Sequence, residues 1–426
     1  MTDVKLHIHR FGPLEEVEIE LAPMMIFTGM SNLGKSYANY AVYYFMYSVC
    51  GDGKLIEKLV SPKIDTKAIH QNIVLSTQEI TSELQNGVEP FMRRLLGDDT
   101  ISCNISFIIG GPSTHVFKLE KPHVTPEQGA DAYNYVLFGY GDGKMEYKRL
   151  NYNLERIISS CYREKLLGYT FQFAPILPPA RGAFVGENYS IKSTVGSSVG
   201  MYENFFKDYD RGVQPTGENY ADYSFFIKAV KKLLEGELLT EGGKQYLKLA
   251  NGTTISLTAA ASSIKELSPF LFYLKNHIGF SMSFCFEEPE AHLHPQMQVS
   301  LADLIAVCLH NSIFFQITTH SDYFLQRLNQ MVKLGHIKTK DENRFNEICK
   351  ERQLDVLCYI DASDISAYYF HRNGSRISVD PLSIDKDGIP FKTFFDVAND
   401  LQQKEDYIND VLYELYELDE EGGKHD

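Results

Sequence analysis

The N-terminal part of the chain alternates apolar segments with short polar turns. Residues 4–9 and 16–21 carry apolar side chains on either side of a turn at 11–13, which predicts two short strands. The apolar run at 24–27 predicts a buried strand, and the run at 37–46 predicts a helix. The pattern therefore predicts a strand, a glycine-containing loop and a helix in direct succession.

The middle of the chain predicts a mixture of helices and hairpins. Residues 54–100 have apolar positions near helical spacing, with a break expected at Gly87 and Pro90. Two apolar segments within 101–120 flank a Gly-Gly-Pro turn and predict a hairpin. Further expectations are strand within 133–150, a helix at 153–167, a loop at 175–200, a helix at 220–240, and a hairpin at 244–257 with a tight turn at Asn251-Gly252.

The second half of the chain has the pattern of a parallel α/β sheet, in which helices alternate with fully apolar strands. No heptad pattern is sustained over several turns, which argues against long coiled-coil arms. The acidic segment at 414–421 is expected to be a solvated helix end. The predicted elements are a helix at 263–276, a strand at 281–286, a helix at 295–310 and a strand at 312–318.

Composition narrows the class of protein. The 426 residues are enough for two or three domain-sized units, and 44% hydrophobic with 23% charged residues is ordinary for a soluble globular protein. No apolar run reaches the ~18 residues needed to cross a bilayer, and Met1–Lys5 shows no secretory signal. Seven scattered cysteines without a C-x-x-C pair favour reduced thiols, so we expect a cytoplasmic protein with no membrane partner.

The charge of the chain bears on nucleic-acid binding. The formal net charge is −15, whereas proteins that coat DNA usually carry a basic excess. Any contact with DNA therefore has to come from a local patch or from a partner protein.

The loop at 29–36 fits the P-loop pattern G-x-x-x-x-G-K-[ST] and lies between the predicted strand and helix. In that context backbone N–H groups surround a phosphate at a helix N-terminus. Lys35 would reach the β- and γ-phosphates of ATP, and Ser36 would hold Mg2+. The predicted nucleotide-binding residues of this segment are Gly29, Ser31, Asn32, Leu33, Gly34, Lys35, Ser36 and Tyr37.

A second candidate site lies far along the chain, where the apolar strand at 281–286 is followed by Glu287 and Glu288. Phosphoryl transfer needs one acid near Mg2+ and another that orients the attacking water. Glu287 would take the metal side and Glu288 the water side. A pair of solvated acids at a strand end is the alternative, and the P-loop makes it the weaker one.

Three other signals are less specific. Glu290, His292 and His294 alternate as metal ligands can, although the flanking prolines mark a shaped loop. His320 follows the next strand at the ligand-binding edge of the predicted sheet, where it can hydrogen-bond a γ-phosphate or act as an ordinary capping residue. Ser263 is expected to cap a helix, with Glu266 completing a capping box, or to hold a phosphate supplied from another subunit.

In order, these segments resemble the ABC-type ATPase heads of the OLD, RecF and SMC group, and more closely the AAA15 and AAA21 defence ATPases. The resemblance rests on the P-loop and on four later motifs. These are Leu-Pro-Pro-Ala-Arg181, Ser262-Ser263-Ile-Lys-Glu266, Phe286-Glu287-Glu288-Pro-Glu-Ala-His-Leu-His-Pro295 and Thr319-His320-Ser-Asp-Tyr-Phe324.

The resemblance implies a role for each motif. Lys35 and Ser36 would be Walker A, Glu287 and Glu288 Walker B. Ser263 would belong to the signature loop, His320 would be the switch histidine, and Arg181 would lie near the nucleotide. Two departures are the glutamate at 287, where many relatives have aspartate, and Ile264, where many have glycine. We therefore expect slow turnover.

The C-terminal part of the chain indicates whether the protein carries a nuclease domain of its own. OLD-type nucleases carry a Toprim domain with an Asp-x-Asp pair on a strand after the ATPase. Among the residues that follow His320 here, such a pair occurs only as Asp385 and Asp387 in a predicted turn. The chain thus resembles standalone ATPases of PARIS-like and Septu-like anti-phage systems, which pair with a separate effector. That resemblance implies ATP and Mg2+ as cofactors, a homodimer or a larger oligomer built from dimers, and a Toprim-like or HNH-type nuclease as partner.

We therefore predict an α/β P-loop ATPase with an ABC-ATPase-like head and an inserted helical and β lobe. A RecF-like or SMC-like repair ATPase acting on DNA, and a scaffold that binds ATP without hydrolysing it, remain alternatives. The predicted division is an N-terminal ATPase lobe at 1–50, an inserted region at 51–175, an ATPase core at 176–330 and a C-terminal extension at 331–426.

Overall fold

The computed structural model describes most of the chain. The described residues are 4–65, 67–120, 136–140, 143–147, 154–169, 171–185, 199–214, 224–277, 279–390 and 392–422. The strands are β1 (Val4–Phe11), β2 (Leu14–Glu20), β3 (Met24–Gly29), β4 (His70–Ser76), β5 (Cys103–Ile109), β6 (Thr114–Glu120), β7 (Val136–Tyr140), β8 (Gly143–Tyr147), β9 (Phe171–Phe173), β10 (Ile176–Leu177), β11 (Gly236–Glu241), β12 (Lys244–Leu249), β13 (Thr254–Ser256), β14 (Ser281–Glu287), β15 (Ile313–Thr318), β16 (Ile365–Asn373) and β17 (Arg376–Leu382). The α-helices are α1 (Lys35–Val49), α2 (Leu55–Val60), α3 (Thr77–Leu96), α4 (Leu154–Leu167), α5 (Gly200–Gly212), α6 (Ser224–Leu234), α7 (Ser262–His277), α8 (Pro295–Leu309), α9 (Asp322–Lys340), α10 (Glu342–Arg352) and α11 (Lys392–Gly422).

A seven-stranded sheet forms the centre, in the order β10-β14-β15-β3-β16-β17, with β9 also paired to β14. Every pair is parallel except β16 with β17. Ile317 of β15 pairs with Ile26 of β3 on one side and with Phe286 of β14 on the other. Because these strands are parallel and in register, the loops that follow β3, β14 and β15 emerge at one edge of the sheet.

The central strands are apolar throughout because they are buried throughout. Every residue of β3 and β15 is buried, and α1 contacts β3, β14 and β15. Phe270 of α7 packs against Phe284 of β14 and Phe315 of β15, with ring centroids 5.2 and 5.8 Å apart. A strand covered by helices cannot alternate with polar residues, which explains the continuous hydrophobic runs. The α/β prediction for the second half of the chain is confirmed.

Two predictions for residues 54–100 are wrong. The segment begins with the short helix α2, but β4 is a strand, in which Ile73 and Leu75 are buried at alternate positions and pair with β6. Helix α3 starts at a capping box between Ser76 and Glu79 and then runs through Gly87 and Pro90 without ending. Helix α3 packs closely against α1 at this glycine, because a Cβ on Gly87 would lie 2.5 Å from the hydroxyl of Tyr44 on α1. Gly87 therefore permits the close approach of two helices and does not end the helix.

The predicted hairpin at 101–120 is also wrong, although both of its strands exist. β5 pairs with β1 in the three-stranded sheet β2-β1-β5, whereas β6 pairs with β4 in the sheet β4-β6-β7-β8. The Gly-Gly-Pro turn therefore connects two sheets. The third small sheet, β11-β12-β13, turns first at Gly242-Gly243 and again around Asn251-Gly252, so the tight turn predicted there joins β12 to β13.

The central sheet contains strands from both ends of the chain. β16 and β17 come from the C-terminal extension, and β16 pairs directly with the P-loop strand β3. Beyond them, α11 is exposed over residues 399–413 and carries exposed apolar side chains such as Tyr407 and Tyr413. Within the described residues, no helix is long and apolar enough to span a membrane.

Candidate active site

The loop between β3 and α1 has the backbone of a phosphate cradle. Gly29 and Gly34 have φ values of 126° and 88°, which favour glycine. A Cβ on Gly29 would lie 2.1 Å from the carbonyl oxygen of Phe370, and one on Gly34 would lie 2.7 Å from the side chain of Leu14. Both glycines are thus required by close neighbours, and the loop opens onto the N-terminus of α1.

Lys35 lies folded over this loop. Its ammonium group donates hydrogen bonds to the carbonyl oxygens of Gly29 at 3.2 Å and Met30 at 2.6 Å. Burial lowers the pKa of Lys35 to about 8, and the neighbouring carboxylates of Glu288 and Glu287 oppose that shift. The lysine therefore sits where an anion would replace the loop carbonyls as its partner.

Glu287 ends β14 and is held by three side chains. Ser36 donates to its Oε2 at 2.6 Å, Thr318 donates to the same oxygen at 3.0 Å, and Asn39 donates to Oε1 at 2.5 Å. Burial raises the pKa of Glu287, while these three hydrogen bonds lower it. Ser36 and Glu287 are therefore brought together, with Asn39 of α1 and Thr318 of β15 as further partners of the carboxylate.

Glu288 and His320 are brought to the same edge. Glu288 has a φ of 42°, and its N–H donates to the carbonyl of Thr318 at 3.1 Å. Its half-buried side chain is close enough to raise the pKa of Lys35. Burial lowers the pKa of His320, and the charge of Lys35 lowers it further. His320 is thus expected to be neutral at pH 7, with Glu288 and Lys35 beside it.

Glu290 organises the loop that carries His320. Its Oε1 accepts hydrogen bonds from the Thr319 hydroxyl and the His320 N–H, each at 2.7 Å. Its Oε2 is buried without a partner, and burial raises the pKa of the carboxyl group. Within the described residues, the metal site considered for Glu290, His292 and His294 is not formed. Glu290 binds the loop after β15, while Nδ1 of His294 accepts from the Gln296 N–H at the start of α8.

Arg181 is fully buried. Its Nη1 donates to the carbonyl of Glu287 at 2.8 Å, and its Nε donates to the carbonyl of Glu266 at 2.8 Å. The guanidinium also lies over the ring of Phe286, 4.7 Å from its centroid. Burial lowers the pKa of Arg181 to about 10, against the opposing charge of Glu266. Arg181 therefore ties α7 to the end of β14, and a direct contact with nucleotide stays a prediction.

The predicted capping box at the start of α7 is wrong. The helix begins at Ser262, and the carbonyl of Ala261 accepts its first backbone hydrogen bonds. Ser263 therefore lies inside the first turn and is not the cap. Glu266 is buried, with its Oε2 3.6 Å from Nε of Arg181, so the arginine takes the carboxylate that the capping box would need.

The remaining P-loop residues differ in burial. Leu33 is buried, whereas Ser31 and Asn32 are exposed, and Asn32 has a φ of 62°. The ring of Tyr37 packs edge-on against Phe11, with centroids 4.8 Å apart. A groove of about 820 Å³ runs along this side of the loop. Its lining residues are Pro13, Glu15, Glu16, Asn32, Tyr37, Arg372, Ser375, Arg376 and Ile377.

Comparison with known proteins adds a family match. Residues 184–325 match the AAA_15 family model, described as an AAA ATPase domain, which is about a third of the chain. The matched range contains Ser263, Glu287, Glu288 and His320, and the P-loop lies outside it. The chain has the fold of an AAA-type P-loop ATPase. A comparison with curated protein sequences gave no match.

Solved SMC head domains are also similar to this chain at low identity. An Smc head bound to the C-terminal winged-helix domain of ScpA is 13% identical, with 90% of this chain and 98% of that chain covered and a TM-score of 0.37. The SMC head domain from Thermotoga maritima is 11% identical, with 90% and 100% covered and a TM-score of 0.33. An Smc head with an extended coiled coil, bound to a ScpA domain derived from Pyrococcus furiosus, is 12% identical, with 94% and 100% covered and a TM-score of 0.36.

Sequence reasoning missed two residues of the site. Asn39 and Thr318 hold the Glu287 carboxylate, yet neither belongs to a motif that singles it out. Asn39 follows Ser36 by three positions on α1, so helical spacing places both on one face, and that was the available signal. Thr318 is visible only once β15 is known to lie between β3 and β14.

Proposed function

We propose that this protein binds MgATP at the P-loop and hydrolyses the ATP. The contact between Ser36 and Glu287 is the observation that carries the proposal, because it joins residues 251 positions apart at 2.6 Å. An arrangement of a phosphate cradle, a serine hydroxyl and two strand-end acids suits phosphoryl transfer. A chance glycine turn would not need a buried acid held against it by three hydrogen bonds.

The residues fit a magnesium ion. Mg2+ prefers hard oxygen ligands and binds proteins through one or two side-chain groups plus phosphate and water. The Ser36 hydroxyl and the Glu287 carboxylate offer such oxygens, and they would hold the ion directly or through water. When bound, Mg2+ neutralises the negative charge that gathers on the phosphates.

Each remaining group has a chemical task in the proposal. Lys35 leaves the loop carbonyls and pairs with the β- and γ-phosphates. Glu288 accepts a hydrogen bond from the attacking water and orients it. His320, neutral at pH 7 because its pKa is lowered, donates a hydrogen bond to the γ-phosphate. The groove beside Tyr37 has the volume to accept the base and ribose.

The proposed active form is a dimer around ATP. The N-terminus of α7 is accessible, since Ser262 is exposed and Ser263 half-buried. A helix N-terminus favours a phosphate, so the Ser263 end of α7 would face the γ-phosphate held by the other subunit. Arg181 contacts both α7, which would face the ATP of the other subunit, and the Glu287 carbonyl at the ATP site of its own subunit. Arg181 would therefore connect the two ATP sites of the dimer.

The biological role that we propose is control of a separate effector, a nuclease or a toxin, in bacterial anti-phage defence. Its support is the motif resemblance in the sequence and the absence of a strand-borne Asp-x-Asp pair at 385–387, where the described chain forms a turn. The net charge of −15 disfavours direct coating of DNA. In this proposal the nucleotide state of the dimer sets whether the effector is held or released.

Calorimetry and a turnover assay test the proposal. Wild-type protein should bind ATP more tightly with Mg2+ than without it, and should release phosphate slowly. Lys35→Ala should lose most of its ATP affinity while keeping its fold by circular dichroism. Unchanged ATP affinity in the folded variant would show that the P-loop is not the ATP-binding site. Co-expression with the product of a neighbouring nuclease or toxin gene tests the proposed effector separately.

A further inference from the structure

The β1–β2 hairpin carries a polar cluster that shares Glu16 with the lining of the groove beside Tyr37. His7 and His9 lie on one face of β1, two residues apart. Ile8 pairs with Val17 and Arg10 with Glu15, so Glu16 of β2 falls opposite His9. Glu16 has a φ of 52°, next to a register shift between β1 and β5. The hairpin therefore brings two imidazoles and one carboxylate to the same spot.

The distances within this cluster suit a metal ion. Oε2 of Glu16 lies 2.9 Å from Nε2 of His7, and its Oε1 lies 3.7 Å from Nδ1 of His9. One ligand atom from each residue falls within 4.8 Å of the others, and the described part of the chain contains no other such group. Tetrahedral zinc places its ligand atoms about 3.4 Å apart, so modest side-chain rotations would close the set.

A neighbouring residue orients one of the imidazoles. Nε2 of His9 lies 3.0 Å from the hydroxyl oxygen of Ser106 on β5. When Nε2–H donates to that oxygen, Nδ1 keeps its lone pair and faces Glu16, which is the tautomer that a metal requires. A ligating histidine commonly donates its other ring N–H in this way.

The nearby cation, Lys5, forms ion pairs with carboxylates other than Glu16. Lys5 lies on the same face of β1, and its ammonium group pairs with Glu18 at 3.6 Å and Glu20 at 3.5 Å. Glu16 is left to the two histidines. The cluster is reachable from solvent, with His7 and His9 side chains 33% and 36% exposed, whereas all seven cysteines of the chain are buried.

We propose that His7, His9 and Glu16 form a binding site for Zn2+. Two imidazole nitrogens and one carboxylate oxygen make a zinc ligand set that leaves the fourth tetrahedral position to water or to an added ligand. The nitrogen ligands select zinc over Mg2+, which prefers oxygen, so this site is chemically distinct from that of Ser36 and Glu287.

Zinc titration of the full chain, without a histidine tag and after treatment with a chelator, tests the proposal. Wild-type protein should bind one Zn2+ per chain at the cluster by calorimetry. His9→Gln should weaken binding by more than about 100-fold, and Ser106→Ala by about 10-fold, because it removes only the group that orients His9. Co2+ in place of Zn2+ should give the intense visible absorption of a tetrahedral site, and His9→Gln should abolish it.

A matched control uses another exposed histidine–carboxylate pair. Nε2 of His371 lies 2.8 Å from Asp380, so His371→Gln removes a comparable pair and should leave zinc binding unchanged. Melting temperatures without zinc check that each variant folds, and zinc should raise those of wild type and His371→Gln but not that of His9→Gln. Equal zinc affinity in wild type and the double variant His7→Gln/His9→Gln, or no binding by wild type at micromolar zinc, would overturn the proposal.

Discussion

The Ser36 hydroxyl donates a hydrogen bond to Oε2 of Glu287 across 2.6 Å. Ser36 lies in the first turn of α1, which follows β3 and the P-loop. Glu287 ends β14, and β15 separates β14 from β3 in the sheet. The contact exists because parallel strands deliver their following loops to one edge. It defines the proposed Mg2+ position, and Asn39 donates to the same carboxylate from further along α1.

Asn39→Ala should destabilise the protein. Asn39 is fully buried, and its amide donates to the buried carboxylate of Glu287, so the substitution removes a hydrogen bond to a group that cannot find water. The expected loss is about 1.5–3 kcal/mol of unfolding free energy, measured by urea denaturation. Asn72→Ala, at an exposed position of β4, is the control and should leave the midpoint unchanged. Equal midpoints for the two variants would contradict the role of Asn39.

Glu288→Gln should separate binding from hydrolysis. The amide keeps the shape of the side chain but cannot accept a proton or orient water as a carboxylate does. ATP and Mg2+ should still bind, while single-turnover hydrolysis should fall by a factor on the order of 10²–10³. Turnover near the wild-type rate would move the task to another acid, with Glu287 and Glu290 as the next candidates.

The pKa of Lys35 makes ATP binding depend on pH. In the free protein burial lowers that pKa to about 8, and bound phosphate would raise it, so binding is coupled to proton uptake. Affinity should therefore fall as pH rises through 8, by roughly tenfold between pH 7.5 and pH 9. Calorimetry in buffers of different ionisation enthalpy measures the proton uptake directly. The same pH step in Lys35→Ala would assign the effect to another group.

Arg181 offers a test between a positioning role and a nucleotide contact. Arg181→Ala would leave the buried Glu266 carboxylate without its cation and should cost about 3–5 kcal/mol of unfolding free energy. Arg344→Ala, at an exposed ion pair with Glu347, is the control and should leave the denaturation midpoint unchanged. A variant of normal stability that no longer binds ATP would instead support the direct contact implied by the motif resemblance.

The sequence predicts the active-site strands well because they are buried. Continuous apolar runs such as 24–27 and 281–286 carry their own signal, and the groups that follow them must reach the edge of the sheet. The P-loop pattern likewise requires glycine at positions that the structure shows to be crowded, namely Gly29 and Gly34. These elements can therefore be predicted, because the residues of each segment are enough to indicate its structure.

What the sequence does not predict depends on distant partners. β5 and β6 look like a hairpin locally, but each has a better partner, β1 and β4, from earlier in the chain. The capping box expected at Glu266 fails because a buried arginine from another segment binds that carboxylate. Such outcomes are set by tertiary contacts, which override the local preference of a segment.

The shared ATP site is tested most directly by mixing two inactive proteins and measuring ATP hydrolysis. Lys35→Ala lacks the phosphate contact, and Ser263→Arg places a bulky cation at the α7 N-terminus that must approach the other subunit. Each variant alone should be inactive. In an equal mixture half of the dimers would be mixed and each would hold one intact site of two, so up to about a quarter of the wild-type rate should return. If Ser263→Arg hydrolyses ATP at the wild-type rate as a monomer by light scattering, the shared-site account is contradicted.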